Sequence, residues 1–212
     1  MRPRLLIIGA GSRGNAYARA VTQSTDARIT AVADPIDFKR TSLGRKYIWG
    51  INGEPSEAQS FHNHKSFIQY EQRRRVEEAA GRPVEPGIDG VFICTLDHTH
   101  ADIIVALQPL RLHIMGEKPL ATSLNDCLRI RQSLIPDGSE QERIFSVGHV
   151  LHYSPHNMLL RRLLVEDEII GEIVSMEHTE PVGWWHFAHS YVRLVHCPLR
   201  RSWDPWRFAR YQ

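Results

Sequence analysis

Cysteine is scarce in this chain: Cys94, Cys127 and Cys197 are its three, far apart and in no C-x-x-C pair. That argues against a disulfide framework or a cysteine-built zinc site, and a reducing cytoplasm is the expected home. Long apolar runs are missing too. No stretch nears the ~18 residues of a spanning helix, and Met1-Arg2-Pro3-Arg4 leads into an apolar strand with no signal-peptide core, so no membrane partner is expected. Nor does one sign of charge dominate: 26 Lys and Arg against 24 Asp and Glu leave +2, which points to no nucleic acid. Twelve histidines include the close pairs His98 and His100, His152 and His156, and His186 and His189, but there is no H-E-x-x-H and few carboxylates lie beside them. They read as satisfied or substrate-facing histidines, and no metal is expected. What remains is a globular chain of 212 residues, 42% hydrophobic, enough for one full core and part of a second.

The informative stretch is Leu5-Leu6-Ile7-Ile8-Gly9-Ala10-Gly11-Ser12-Arg13-Gly14. A short apolar run breaks into three glycines spaced G-x-G-x-x-G, and Asn15 to Val21 continues as a helix. Glycines also cluster in ordinary turns, so the motif alone is weak. Its context is stronger, because Arg28 to Ala33 is a second apolar strand ending in Asp34, roughly 20 residues past the last glycine, where a dinucleotide site needs a ribose acceptor. In that reading Gly9 makes the tight turn, Gly11 admits the pyrophosphate and Gly14 lets the helix pack closely, while the helix N-terminus holds the phosphates. Asp34 would repel a 2′-phosphate, so NAD is expected ahead of NADP. Lys39 and Arg40 nearby make that preference modest.

Further along, helices are predicted over Asp37 to Tyr47, Lys65 to Ala80, Ala101 to Gln108 and Ser123 to Leu134. Strands are predicted over Ile88 to Thr95, Arg111 to Met115 and Arg143 to Val150, with a turn at Pro136-Asp137-Gly138. This alternation predicts an α/β fold, a doubly wound parallel Rossmann sheet, followed by an incomplete α+β second domain with an antiparallel sheet. The second domain is drawn from a helix over Pro155 to Glu166 and an alternating strand over Gly171 to His178. Arg73-Arg74-Arg75 could be a basic patch, but Glu71, Glu77 and Glu78 lie at helical spacing around it, and a solvated helix face is expected instead. Trp184 and Trp185 read as core or interface rather than a stacking platform.

Ligands of open parallel sheets bind beyond the carboxyl ends of the strands. One rim should therefore collect the glycine loop, Asp34, Thr95 to His100 and Glu117-Lys118-Pro119. Lys118 stands out there: proline after it biases the backbone to extended conformations, and desolvation beside a nicotinamide would ready its amine for proton exchange. A surface lysine paired with Glu117 is the plainer alternative.

Gly9-x-Gly11-x-x-Gly14, Asp34, Thr95 to His100 and above all Glu117-Lys118-Pro119, in this order, resemble the Gfo/Idh/MocA oxidoreductases over about residues 4 to 193. The resemblance implies hydride transfer between NAD(P) and a sugar or cyclitol hydroxyl carbon, with Lys118 assisting as the catalytic residue. It implies cofactor contacts from Gly9, Gly11, Ser12, Arg13, Gly14, Asp34, Thr95, Leu96, His98, His100, Glu117 and Lys118. It also implies substrate contacts from His149, His186, His189 and Arg193. Residues 1–148 would be the dinucleotide-binding domain, 149–193 the start of the substrate and oligomerisation domain, and 194–212 an irregular tail that does not resemble the family. Members continue for well over a hundred further residues, are homo-oligomeric, and commonly carry an Asp-x-x-x-His or His-Asp element that is not found here. The chain is therefore expected to be C-terminally truncated. A catalytically inactive nucleotide-binding fragment is the alternative to a sugar or polyol dehydrogenase.

Overall fold

A computed structural model describes residues 2–135, 143–181 and 183–184. The chain divides into two compact units, Met1–Asn157 and Met158–Gln212. In the first unit six parallel strands form one sheet: β1 (Arg4–Ile8), β2 (Arg28–Ala33), β3 (Ser60–Phe61), β4 (Gly90–Ile93), β5 (His113–Gly116) and β6 (Phe145–Val147), in the spatial order β3-β2-β1-β4-β5-β6. That is the doubly wound order in which the connections reverse direction between β1 and β4, opening a crevice there. Each crossover carries a helix, because a parallel strand can be reached only by a long connection.

Burial on both faces follows from the side-chain alternation. Leu6 and Ile8 of β1 join Val91 and Ile93 of β4 in a cluster with Phe67 of α3 (His64–Ala79), Ile104 of α4 (His100–Leu107) and Ile130 of α5 (Leu124–Leu134). Ile7 of β1 faces the other way, with Val32 of β2, Ala18 and Val21 of α1 (Ser12–Ser24) and Leu43 of α2 (Asp37–Tyr47). Gly14, Ala18 and Val21 are the buried residues of α1. Their spacing of four and then three makes one stripe against the sheet.

The predicted α/β Rossmann architecture is thus observed, with the helix over Asp37–Tyr47 and the helix capped by Ser123 at the expected positions. Strand β3 is new. Two residues are too short for a period to register, and parallel pairing of Ser60 and Phe61 with Val32 and Ala33 makes them a strand.

The reading of α3 as a solvated face is corrected. Glu71 and Arg74 are buried, and Arg74 Nε and Nη2 donate to the two Glu71 carboxylate oxygens at 2.8 and 3.0 Å. Phe67, Glu71 and Arg74 lie on one helical stripe, so this pair occupies the core side of α3 while Arg73 stays outside.

After the sheet, α6 (Pro155–Arg161) runs into one wider π-type turn, Arg162–Glu166, over the span of the predicted helix. The predicted strand Gly171 to His178 is corrected: these residues are in no strand, and Val174 is 95% exposed. A strand exists only by pairing, and the described residues supply it no neighbour. The predicted turn at residues 136–138 lies outside the described residues, as do Trp185, His186, His189 and Arg193; Trp184 is exposed.

Candidate cofactor site

Because all six strands run the same way, their carboxyl ends share one rim, and the predicted site residues follow directly: Gly9 after β1, Asp34 after β2, Thr95 after β4, Glu117 after β5 and His149 after β6. Gly9 has φ +99°, and a Cβ there would lie 2.5 Å from the Cys94 carbonyl oxygen. Both its backbone angle and its approach to the end of β4 demand glycine. Gly14 lets α1 pack on the loop, since a Cβ there would meet the Gly9 oxygen at 2.1 Å. Gly11 differs: a Cβ built on it meets nothing within 4 Å. Gly11 is also the N-cap of α1, with no side-chain cap and no acidic residue in the first turn. An open cradle over an uncapped helix N-terminus suits a pyrophosphate.

Asp34 is buried and braces the loop it was expected only to accompany. The Ala10 N–H donates to its Oδ2 at 2.7 Å and the Ile36 N–H to its Oδ1 at 2.8 Å. Each oxygen keeps a second lone pair for a ribose hydroxyl. Arg40, which as a sequence could serve a 2′-phosphate, is engaged elsewhere. Its Nε donates to Ser60 Oγ at 3.0 Å, Nη1 to the Asp34 carbonyl at 2.6 Å and Nη2 to Asp37 Oδ1 at 2.5 Å.

Between β4 and α4 a 3-10 turn, Asp97–Thr99, presents Leu96 and His98 outward, and Thr99 Oγ1 donates to Thr95 Oγ1 at 2.7 Å. His100 departs from its expected place in the lining. Its side chain is fully buried, with Nδ1 2.8 Å from the Pro119 carbonyl and Nε2 3.3 Å from the Thr95 carbonyl. It opens α4, whose inner face packs on the sheet, and therefore ties the segment after β5 to the segment after β4 instead of facing the rim.

Glu117 and Lys118 point to different surroundings. Lys118 is exposed, and among the described residues it has no ion-pair partner, so it is not held by Glu117. The Lys118–Pro119 peptide is cis. Glu117 is buried, and its Oε1 accepts from the Tyr17 hydroxyl at 2.5 Å, with Arg13 Nε at 3.7 Å. Tyr17 was legible in the sequence only as a helix residue four positions after Arg13, which is the spacing of one helix face. His149 is exposed, its ring 6.0 Å from that of His152. Among the described residues no three His, Cys, Asp or Glu converge on a metal position, and no helix is long and apolar enough to cross a membrane.

Two acids around Glu117 are held protonated. Burial first, and then the Glu117 charge, push the Cys94 thiol from its ordinary 9.0 up to about 12, against a smaller opposing pull from Arg13. Burial, with the Glu117 hydrogen bond next, pushes the Tyr17 phenol well above its ordinary value. For both, the folded value exceeds the unfolded one, so their contribution to stability is full below pH 9 and is lost as pH rises toward 12. The melting temperature is expected to fall steadily above pH 9, and Cys94→Ala should flatten that fall. An unchanged slope in the variant would remove Cys94 as its source.

The comparisons agree with this fold. The model of the oxidoreductase family with an NAD-binding Rossmann fold, Gfo/Idh/MocA, matches residues 4–149. Inositol 2-dehydrogenase of Rhizobium meliloti is 29% identical over 176 residues, covering 82% of this chain and 43% of that protein. The rhizopine catabolism protein MocA of the same genus is 30% identical over 162 residues, covering 76% and 41%. Among solved structures, myo-inositol dehydrogenase from Lactobacillus casei in complex with NAD(H) and myo-inositol superposes with a TM-score of 0.63 at 23% identity, covering 81% of this chain and 43% of that one, a likeness of fold. The chain spans about two fifths of the length of these relatives. With its glycine loop, Asp34 and Glu117-Lys118-Pro119 on one rim of a 3-2-1-4-5-6 sheet, the chain belongs to the Gfo/Idh/MocA oxidoreductase family and carries its NAD-binding Rossmann fold.

Proposed function

We propose that the chain is the cofactor-binding part of an NAD-dependent dehydrogenase acting on a hydroxyl-bearing carbon of a sugar or cyclitol. The observation that carries this reading is the shared rim: an open, uncapped helix N-terminus, a buried carboxylate with lone pairs to spare and an exposed lysine at successive strand ends. In this reading Gly9, Gly11, Ser12, Arg13 and Gly14 cradle the pyrophosphate and Asp34 accepts from the adenosine ribose. Thr95, Leu96 and His98 border the nicotinamide, and Lys118 moves a proton to or from the substrate oxygen. NAD supplies the hydride acceptor when bound. His149, and beyond the described residues His186, His189 and Arg193, belong to the substrate side. The substrate class rests on the relatives, which include inositol dehydrogenases, and those relatives lend no support to an inactive module.

NAD is favoured over NADP because the Arg40 guanidinium is already committed to three protein acceptors. Asp34→Ala removes the ribose acceptor and slackens the glycine loop together. NAD affinity is expected to fall on the order of 10²-fold, and NADP affinity only by the loop's share. Calorimetric titration of both cofactors onto both proteins checks this. An equal fall for the two would remove the ribose role, and absence of NAD binding to the unaltered chain would remove the reading itself.

A further inference from the structure

We propose that Tyr17, acting through Glu117, is the positioning residue for Lys118, linking the helix that would receive the cofactor phosphates to the segment that carries the amine. This rests on the cofactor reading above and concerns a contact across 100 residues of chain. Lys118 itself is exposed, so its placement must come from its neighbours. On one side the Glu117 N–H donates to the Ile93 carbonyl at 2.9 Å, and the Glu117 carboxylate accepts from Tyr17 at 2.5 Å. On the other, the Pro119 carbonyl is held by His100 at 2.8 Å.

Tyr17 is itself fixed. Its ring stacks on Phe92 of β4, centroids 5.0 Å apart and planes 16° from parallel. Arg13, one turn earlier on α1, brings a half-exposed guanidinium to 3.7 Å from the same Glu117 oxygen, at the first turn of the helix where phosphates would sit. The end of β6 closes the cluster. A Cβ on Gly148 would lie 2.8 Å from the Tyr17 hydroxyl and 2.9 Å from Glu117 Oε1, so a side chain there would force the pair apart. The Gly148 N–H meanwhile donates to the Gly116 carbonyl at 2.8 Å. Four elements, α1, β4, β5 and β6, thus converge on the carboxylate next to Lys118. The phenol is kept protonated by burial and by Glu117, and remains a donor at every physiological pH. With Glu117 anchored, α1 and the Lys118 backbone move as one body, so a cofactor seated on α1 meets the amine at a set position.

Tyr17→Phe tests this, since it keeps the ring on Phe92 and removes only the donor. Lys118 reactivity toward an amine-acylating ester, read by peptide mass spectrometry with and without saturating NAD, reports where the amine sits. Exposed Lys65 on α3 serves as the internal reference. In the unaltered chain NAD should slow acylation of Lys118 severalfold and leave Lys65 unchanged. In Tyr17→Phe, with NAD binding verified by calorimetry, the protection of Lys118 should be largely lost while Lys65 again stays unchanged. Equal protection in both proteins overturns the positioning role, and so does a parallel rise at Lys65, which would mark general loosening of the fold. If NAD does not bind the unaltered chain, the cofactor reading and this role fall together, a result distinct from binding with equal protection.

Discussion

Replacing Glu71 by alanine is expected to destabilise the protein by roughly 3–5 kcal/mol, the cost of leaving a buried cation without its partner. Glu71 sits on the inner stripe of α3 with 1% of its side chain exposed, and the Arg74 side chain is 8% exposed. Arg75 Nε also donates to Glu71 Oε1 at 2.8 Å, and its Nη2 reaches the Leu110 carbonyl at 2.7 Å. One carboxylate therefore pairs with two guanidinium groups, one of which pins α3 to the segment before β5. Arg74 Nη1 extends the network to the Glu85 carbonyl at 3.3 Å, and Glu78 at 3.1 Å gives it a second, exposed acid. Removal of Glu71 strands Arg74 in the core with the Glu85 carbonyl and an exposed carboxylate as its remaining partners. Urea unfolding should show the midpoint falling with the slope unchanged, since the area exposed on unfolding is the same. The control is Arg73→Ala on the exposed face, expected within about 0.5 kcal/mol. A Glu71→Ala loss no larger than the control's would mean that Arg74 finds water or Glu78 at no cost, contrary to its burial.

On the proposed dehydrogenase reading, replacing Lys118 by alanine is expected to lower turnover of a cyclitol with NAD by about 10²–10⁴-fold, the usual contribution of a positioned proton-transfer group. NAD affinity should change little, because in the proposed reading the phosphates and the adenosine ribose would be held by α1 and Asp34 and not by Lys118. Lys118 is exposed and makes no ion pair among the described residues, while the residues on both sides of it are tied down. An exposed side chain without an ion pair among the described residues, carried on so constrained a backbone, can be removed with little disturbance of the fold. The thermal midpoint should therefore stay unchanged while kcat collapses. If kcat survives, the proton is moved by another group and Lys118 keeps at most a binding role.

The architecture was legible because each of its determinants is local. Leu5 to Ile8 and Arg28 to Ala33 are apolar runs that only a strand buried on both faces accommodates, and the glycines between them turn the chain into α1. Ser123, whose Oγ accepts from the Asp126 N–H at 3.1 Å, announces α5 by a bond spanning three residues. The rim of the site was legible for the same reason, since parallel strands of known direction must end on one side. Where reading failed, the missing information was pairing across distance. Strand β3 exists through its ladder with β2, and Gly171 to His178 is no strand because alternation without a neighbour has nothing to bond. Glu71 and Arg74 have the spacing of a solvated ion pair, and only the packing of α3 places them inside.

The sequence by itself determined the alternation of the longer strands and helices, the turn at Gly9, the family motif and the strand ends that share one rim, because these depend on spacing and on the chemistry of single residues. The tertiary structure decided what each of those residues is free to do. Asp34 braces the glycine loop and retains lone pairs, Arg40 is spent on three protein acceptors, His100 is buried between two carbonyls, and Glu117 is claimed by Tyr17. Each of these outcomes is a competition between a ligand and a protein partner for the same lone pair or proton, and the winner is set by atoms brought together from remote parts of the chain.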